Sequence, residues 1–280
     1  MSETIGERIR RYVLDSSDED LQRLLSIAEL SAEPTRTAFR KIGMKPGWRV
    51  IDCGCGPLGA LAVMAEMVGP EGQVVGIDFS EPAVQRARSI ASTLGLDNVE
   101  VRVGDVHDID GQALGSAFDL AYTRLFLVHQ RDPAQTMQRI AALLRPGGWI
   151  IAHEPLRSPP PRSSPPLDAL TTYWELLNDM VERLGAPQGS VDGLARVARD
   201  VGLDVVETSG FFQIVAPEQG FDLHASTIAA AKSRAIESGV GSGAEIDALE
   251  RALRAATDGG YDWVTTPFFL ALTLRTPLSD

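Results

Sequence analysis

The residues best suited to binding a charged ligand lie in a glycine-rich turn. Gly54, Gly56 and Gly59 follow the apolar pair Val50-Ile51 and precede a segment with helical character. Glycines in such a turn let the backbone approach a ligand closely and expose the N-terminus of the next helix to it. Their spacing also matches the glycine fingerprint of dinucleotide-binding sheets, in which an acidic residue such as Asp78 accepts the ribose hydroxyls. The turn alone therefore does not separate one nucleotide cofactor from another.

Acidic residues and a second glycine turn narrow the choice of cofactor. Asp52 stands two residues before Gly54, and Gly104-Asp105-Val106 follows the third apolar run. Further along, a helical stretch is followed by Leu144-Arg145-Pro146-Gly147-Gly148. With these features the chain resembles the class I S-adenosylmethionine-dependent methyltransferases, specifically over about residues 43–154. Within that superfamily it is most similar to the branch of the ubiquinone and menaquinone biosynthesis methyltransferases.

The resemblance implies S-adenosylmethionine as the cofactor and suggests roles for individual residues. Asp78 would accept both ribose hydroxyls, Phe79 would lie on the adenine face, and Asp105 would contact the adenine amino group. Asp52 would either help to hold the methionyl ammonium group or brace the glycine turn. Arg124 would contact the methionine half of the cofactor or the acceptor, with a surface ion pair as the alternative. The expected cofactor-binding set is Asp52, Cys53, Gly54, Gly56, Asp78, Phe79, Asp105, Val106 and Arg124.

Three residues are candidates for taking a proton from the methyl acceptor, namely His129, His153 and Glu154. His129 lies where the family often has a histidine that braces the helix after the fourth strand, so a structural role is its alternative. His153 and Glu154 end the fifth strand at the carboxyl edge of the sheet, where open α/β sheets bind ligands, and bracing a loop is their alternative. His224 begins a late helical segment and would face the pocket if that segment forms a lid.

Short apolar runs alternate with longer helical stretches between residues 49 and 154, which predicts a parallel sheet built from βαβ units. The expected fold is a Rossmann-like, seven-stranded, mostly parallel sheet with an antiparallel last strand and a helical cap. The predicted strands are Arg49 to Cys53, Gln73 to Asp78, Val99 to Val103, Phe118 to Thr123, Trp149 to Glu154, Leu203 to Val215 and Phe268 to Arg275. The predicted helices are Leu21 to Lys41, Leu58 to Val68, Pro82 to Leu94, Pro133 to Leu144, Leu167 to Leu184, Val191 to Val201, Leu223 to Ser238 and Ala244 to Ala256.

Three segments organise the chain. We expect residues 1–42 to form an N-terminal helical cap segment and residues 43–154 to form the cofactor-binding core. Residues 155–280 are expected to complete the same fold and to carry helical insertions at about 167–184 and 223–256 that form a substrate lid. These insertions fall outside the minimal sheet yet have apolar faces that must be buried. Tyr12, Tyr173 and Trp174 lie on the cap segments, where packing and an acceptor wall are the alternatives.

Charge and composition limit the partners. The chain has 26 Lys and Arg against 38 Asp and Glu, a net charge of −12. This excludes nucleic-acid binding that depends on an overall positive charge. No apolar run reaches the length of about 18 residues that a membrane span needs, so we expect no span and a cytoplasmic location. The histidines are scattered and the two cysteines are separated by a single residue, so the sequence predicts neither a metal site nor a disulfide framework.

The sequence therefore predicts methyl transfer to a small-molecule acceptor by in-line displacement without a metal, in natural-product or quinone-type metabolism. One alternative is an NAD(P)-dependent oxidoreductase, which the literal glycine spacing favours and the lack of a Tyr-x-x-x-Lys pair disfavours. Another is a catalytically silent regulatory protein that binds the cofactor on the same fold. The sequence identifies neither the acceptor nor whether two copies pair as a homodimer.

Overall fold

A computed structural model describes residues 19–109, 114–115, 117–185 and 191–278 of the chain. Residues 1–18 of the expected N-terminal cap segment, including Tyr12, lie outside these ranges. The helices are α1 Glu19–Lys41, α2 Leu61–Val68, α3 Glu81–Leu94, α4 Pro133–Ala142, α5 Asp168–Arg183, α6 Leu194–Asp200, α7 Pro217–Ser238 and α8 Gly243–Ala256. The strands are β1 Arg49–Cys53, β2 Gln73–Asp78, β3 Val99–Val103, β4 Phe118–Arg124, β5 Leu144–Pro155, β6 Ser163–Ser164, β7 Asp204–Phe211, β8 Ile214–Val215, β9 Trp263–Thr265 and β10 Phe269–Arg275.

Seven of these strands form one sheet in the order β3-β2-β1-β4-β5-β10-β7. The pairs β1–β2, β2–β3, β1–β4 and β4–β5 are parallel, and β10 is antiparallel to both β5 and β7. This topology confirms the predicted fold class. It also brings the carboxyl ends of β1, β2, β3 and β4 to one edge of the sheet, where ligands of open α/β sheets bind.

Several elements begin or end at residues other than those expected from the sequence. Helix α2 begins at Leu61 rather than Leu58, because Gly59 has a left-handed φ of +51° and the backbone is still turning there. The segment expected as one strand up to Val215 is two strands, β7 and β8, which belong to different sheets. Helix α7 begins six residues earlier than expected, at Pro217, whose fixed φ and missing N–H suit the first turn of a helix.

Helix α1 contains Pro34, which lacks the N–H that would bond the carbonyl of Leu30 one turn earlier. The amide of Gln213, between β7 and β8, supplies that bond instead, with Nε2 donating to the Leu30 oxygen at 2.6 Å. A second link joins the far end of the helix to β7, where Lys41 pairs with Glu207 at 2.6 Å. Helix α1 is therefore tied to the β7 side of the sheet at two points.

The cap has its own small sheet and its own apolar core. Strands β6, β9 and β8 form a separate three-stranded antiparallel sheet. Helices α5, α7 and α8 pack together around buried apolar side chains that include Trp174, Phe221, Ile228 and Leu253. None of the helices that the structure describes is both long enough and apolar enough to cross a membrane.

Candidate active site

The glycine turn is held against β2 by two backbone hydrogen bonds. The N–H groups of Gly54 and Cys55 donate to the Ile77 oxygen at 2.8 and 3.0 Å. Gly54 has a φ of +75°, and a Cβ at this position would lie 2.3 Å from Cδ2 of Phe126, so only glycine fits under the ring. At Gly56 a Cβ would meet nothing within 4 Å, which leaves the space above this part of the turn open.

Asp52 lies beneath the turn and is buried, with 1% of its surface exposed. Its Oδ2 accepts the Ala60 N–H at 2.7 Å, which places a carboxylate at the start of α2. Burial raises the pKa of Asp52 to about 6, while the Ala60 N–H and the charge of Arg124 oppose that rise. The described contacts of Asp52 are thus those of a brace between the end of β1 and the start of α2.

Asp78 ends β2 and connects two neighbouring loops. Its Oδ2 accepts the Gly56 N–H and its Oδ1 accepts the Ser80 N–H, both at 2.9 Å. Each carboxylate oxygen offers about two acceptor sites, so both retain capacity for a further donor. Phe79 follows Asp78 and is 74% exposed, so most of its ring does not pack against the rest of the protein.

Asp105 follows β3 at the same edge of the sheet and is exposed. Its Oδ1 accepts the His107 N–H at 2.9 Å, which fixes the turn. Val106 is buried and belongs to the core of the sheet. His107 is bonded through Nε2 to the hydroxyl of Thr136 at 3.1 Å, so it ties this turn to α4.

Arg124 ends β4 and reaches the glycine turn from the other side. Its Nη2 donates to the Gly59 oxygen at 3.1 Å. No carboxylate in the described part of the chain forms an ion pair with it, so the surface ion pair considered for this residue is not among its described contacts. Its charge lies close enough to Asp52, Tyr122 and His153 to affect the pKa of each.

Glu154 holds the loop that follows β4. It is fully buried, and its two oxygens accept the N–H groups of Phe126, Leu127 and Val128 at distances between 2.9 and 3.2 Å. Burial raises the pKa of Glu154 to about 7, and the three backbone donors oppose that rise. The loop carries the 3₁₀ turn Leu127–His129, so Glu154 positions His129 indirectly.

His153 belongs to a buried chain of hydrogen bonds. The Tyr122 hydroxyl lies 3.0 Å from Nδ1 of His153 and 3.0 Å from the Thr35 hydroxyl on α1. All three residues are at most 1% exposed. Burial, with the nearby charge of Arg124, lowers the pKa of His153 to about 3, so the ring is neutral at pH 7. This chain joins helix α1 to the centre of the sheet.

A cavity of about 260 Å³ lies between α1, α5 and α7, next to the loop after β4. Its walls are mainly apolar and aromatic, and they include Leu125, Val128, Trp174, Leu177 and Phe269. Leu125 is adjacent in sequence to Phe126, whose ring contacts Gly54, so the cavity begins beside the glycine turn. Residues of α1, α5 and α7 line this cavity, whereas none of its lining residues belongs to α8.

Of the three candidates for proton transfer, His129 alone is among the residues that line this cavity. His129 is exposed to solvent as well as lining the cavity, and partial desolvation by the surrounding protein, together with the positive charge of Arg234, lowers its pKa. The side chains of His153 and Glu154 are buried elsewhere, in the contacts described above. The structure therefore does not bring the three candidates together.

His224 on α7 also lines the cavity and is fully buried. Its Nε2 lies 2.9 Å from the Thr265 oxygen, and since a carbonyl only accepts, Nε2 carries the proton. Nδ1 is then an acceptor, and it has no hydrogen-bond partner among the described residues. Burial lowers the pKa of His224 to about 4, so the ring is neutral at pH 7. Tyr173 packs on it with ring centroids 5.1 Å apart.

Sequence reasoning missed Thr35, Gln213 and Arg234. Thr35 and Gln213 act through partners more than 80 residues away, which no local pattern reveals. Arg234 carried a weak signal, since it is a charge within the helical segment whose other cavity-lining neighbours, Ala230 and Ala231, are small and apolar.

A family model described as a methyltransferase domain matches residues 44–182. Among curated proteins, nocamycin O-methyltransferase of Saccharothrix syringae is 39% identical over 42% of this chain and 40% of its own length. A demethylmenaquinone methyltransferase of Listeria monocytogenes is 27% identical over 54% of this chain and 63% of its own length. The chain thus spans less than two thirds of the length of these relatives.

Solved structures resemble the fold over most of the chain. The [4+2]-cyclase SpnF superposes with a TM-score of 0.55 at 20% identity and covers 89% of this chain and 82% of its own. At this level of identity the likeness shows the fold and carries no information about the reaction.

Proposed function

Since the chain belongs to the class I S-adenosylmethionine-dependent methyltransferases, as the glycine turn together with Asp52, Asp78 and Asp105 predicts, we propose that it methylates a small-molecule acceptor in natural-product or quinone-type metabolism. The observation that carries the proposal is the adjacency of two spaces. One is the open space above Gly56, and the other is the apolar cavity that begins at Leu125. A cytoplasmic location stays a prediction from the sequence.

The residues at the sheet edge suit the methyl donor. The half-buried carboxylate of Asp78 has spare acceptor capacity for two ribose hydroxyls, and the exposed ring of Phe79 offers an apolar surface beside it. At the next strand end Asp105 offers an exposed carboxylate, and Val106 beside it is buried, so only its main chain would reach the cofactor. The main chain of Cys53, Gly54 and Gly56 would line the methionine half together with Arg124.

When bound, S-adenosylmethionine supplies a methyl group activated by its sulfonium charge. The protein then has three tasks: to bind the acceptor, to orient its nucleophilic atom, and to exclude water. The apolar walls that α1, α5 and α7 provide perform the first and third of these tasks. The loop after β4 lies between the two spaces, so its position controls the orientation of the acceptor.

We assign the proton transfer to His129, because it is the candidate base that the cavity exposes. A lowered pKa keeps its ring neutral at pH 7, so one ring nitrogen is free to accept a proton from an acceptor hydroxyl or amine. Glu154 acts as a positioning residue through the backbone of the loop, and His153 acts through Tyr122 on α1. Asp52 is assigned the bracing role at the start of α2.

Calorimetric titration with S-adenosylhomocysteine, and separately with NAD, tests the cofactor assignment. We expect the first ligand to bind and NAD not to bind, and Asp78→Asn to weaken binding at least about tenfold, because hydrogen bonds to a charged acceptor contribute roughly 1.5–3 kcal/mol. Binding of NAD alone would establish the oxidoreductase alternative. Binding of S-adenosylhomocysteine without methyl transfer to any acceptor would establish the silent regulatory alternative.

Comparison of His129→Gln with His153→Gln separates the base from the positioning residue. We expect His129→Gln to lower kcat and to remove the acidic limb of the pH–rate profile while cofactor affinity is unchanged. His153→Gln is expected to lower stability and to keep that limb. Full turnover in His129→Gln would show that the reaction proceeds by orientation alone.

A further inference from the structure

The ionisable residues that line the cavity differ in sign from those that predominate in the whole protein. The chain has a net charge of −12, yet among the described residues no Asp or Glu lines the cavity. The ionisable side chains of basic type that line it are Arg23, His129, His224 and Arg234. The lining therefore has basic side chains and no acidic ones, although acidic residues outnumber basic ones in the whole chain.

The charge of Arg23 is already balanced by a neighbouring carboxylate. Its Nη2 pairs with Asp20 at 2.7 Å one helical turn away, and its side chain is only 15% exposed. Its charge also acts on Tyr173 in the cavity wall, where it opposes the rise in pKa that burial causes. Because both histidines are neutral at pH 7, neither of them supplies a positive charge.

Arg234 is different, because no ion pair joins it to a carboxylate within the described ranges. It lies on α7, is exposed to solvent, and lines the cavity, so its guanidinium stands at the open side. It is also close enough to His129 for its charge to lower the pKa of that ring. A guanidinium without a carboxylate partner, next to the proposed base, is a ready site for an anion.

We propose that the acceptor is an apolar acid, a molecule with an aromatic or aliphatic body and one ionised carboxylate or comparable anionic group that pairs with Arg234. This inference rests on the proposed function and specifies the substrate class of that same cavity. The apolar body packs against Trp174, Leu177 and Val181, and the anion lies at the mouth. A neutral or cationic molecule of the same shape gains nothing from Arg234.

The test uses two fluorescent probes that share an anilinonaphthalene body and differ in charge. The anionic probe is 8-anilinonaphthalene-1-sulfonate and the neutral probe is N-phenyl-1-naphthylamine. We expect the wild-type protein to prefer the sulfonate, and Arg234→Gln to weaken the sulfonate about fivefold, since a solvent-accessible ion pair contributes little more. The same substitution leaves the neutral probe unchanged, and Arg234→Lys, which keeps the charge, retains most of the sulfonate affinity.

Two controls locate the probes. All titrations are repeated with saturating S-adenosylhomocysteine, which blocks the cofactor site, and with Ala231→Trp, which fills the cavity from α7. Loss of both probes in Ala231→Trp, in a variant whose circular dichroism and Tm match the wild type, supports the assignment. Sulfonate binding that survives Ala231→Trp would overturn it, because the anion would then be held outside the cavity.

An equal effect of Arg234→Gln on both probes, or no effect on either, would also overturn the proposal. Failure of the proposed function has a different signature. It would appear as absent binding of S-adenosylhomocysteine or absent methyl transfer, while the charge preference of the cavity persists.

Discussion

Tyr122→Phe tests whether the buried hydrogen-bond chain fixes helix α1 on the sheet. The substitution removes a hydroxyl that bonds Thr35 and His153, each at 3.0 Å. It keeps the ring, which packs edge-on against Phe39 with the ring centroids 5.4 Å apart. Each such bond contributes about 0.5–1.5 kcal/mol to stability, and burial places these two in the upper half of that range. We therefore expect the free energy of unfolding to fall by about 2 kcal/mol, since no cavity term is added.

Urea unfolding of Tyr122→Phe, Thr35→Val and the double variant measures how much these hydrogen bonds contribute to the free energy of unfolding. Thr35→Val removes one bond, so it is expected to cost about 1 kcal/mol. Once the Tyr122 hydroxyl is gone, the Thr35 hydroxyl has no partner, so the double variant should be little less stable than Tyr122→Phe alone, a coupling of about 1 kcal/mol. Strictly additive losses, or a loss below about 0.5 kcal/mol for Tyr122→Phe, would refute the reasoning.

Three further predictions follow from single contacts. Gly54→Ala should lower Tm and cofactor affinity more than Gly56→Ala, because both have positive φ but only Gly54 faces a ring 2.3 Å from the new Cβ; equal effects would contradict this. Arg234→Gln should raise the pKa of His129 in an NMR titration, because the charge that lowers it is removed; an unchanged pKa would show that burial alone acts. Burial lowers the pKa of His224 to about 4, against 6.5 in the unfolded chain, so between pH 7 and pH 5 the unfolded chain takes up a proton that the folded chain does not. This acidification should lower the free energy of unfolding by about 2 kcal/mol. Urea unfolding at the two pH values should show a smaller loss for His224→Asn than for the wild type.

The sheet and the cofactor edge could be predicted from the sequence because their signals are local. The run from Asp52 to Leu61 contains its own strand end, turn and helix start within ten residues. Asp78 and Asp105 follow apolar runs directly, so knowing that the strands are parallel is enough to place both at one edge. The directions of the strands agree with that expectation.

The acceptor cavity could not be predicted to the same depth, because its walls come from segments distant in sequence. Helix periodicity showed that α1, α5 and α7 have apolar faces, but not which residues of those faces stay uncovered. Glu154 illustrates the limit, since a carboxyl group at a strand end suits catalysis and bracing equally. Only the three N–H groups that converge on it show what it contacts.

Transfer of a deuterated methyl group tests the central claim most directly. The protein is incubated with S-adenosylmethionine carrying a CD3 group and with a small-molecule extract separated into acidic, neutral and basic fractions, and the products are analysed by mass spectrometry. We predict that an apolar acid gains the CD3 group, and that the same product is lost with Asp78→Asn and reduced with His129→Gln. Tight binding of the methyl donor with no labelled product in any fraction, or label confined to the neutral and basic fractions, would contradict the account.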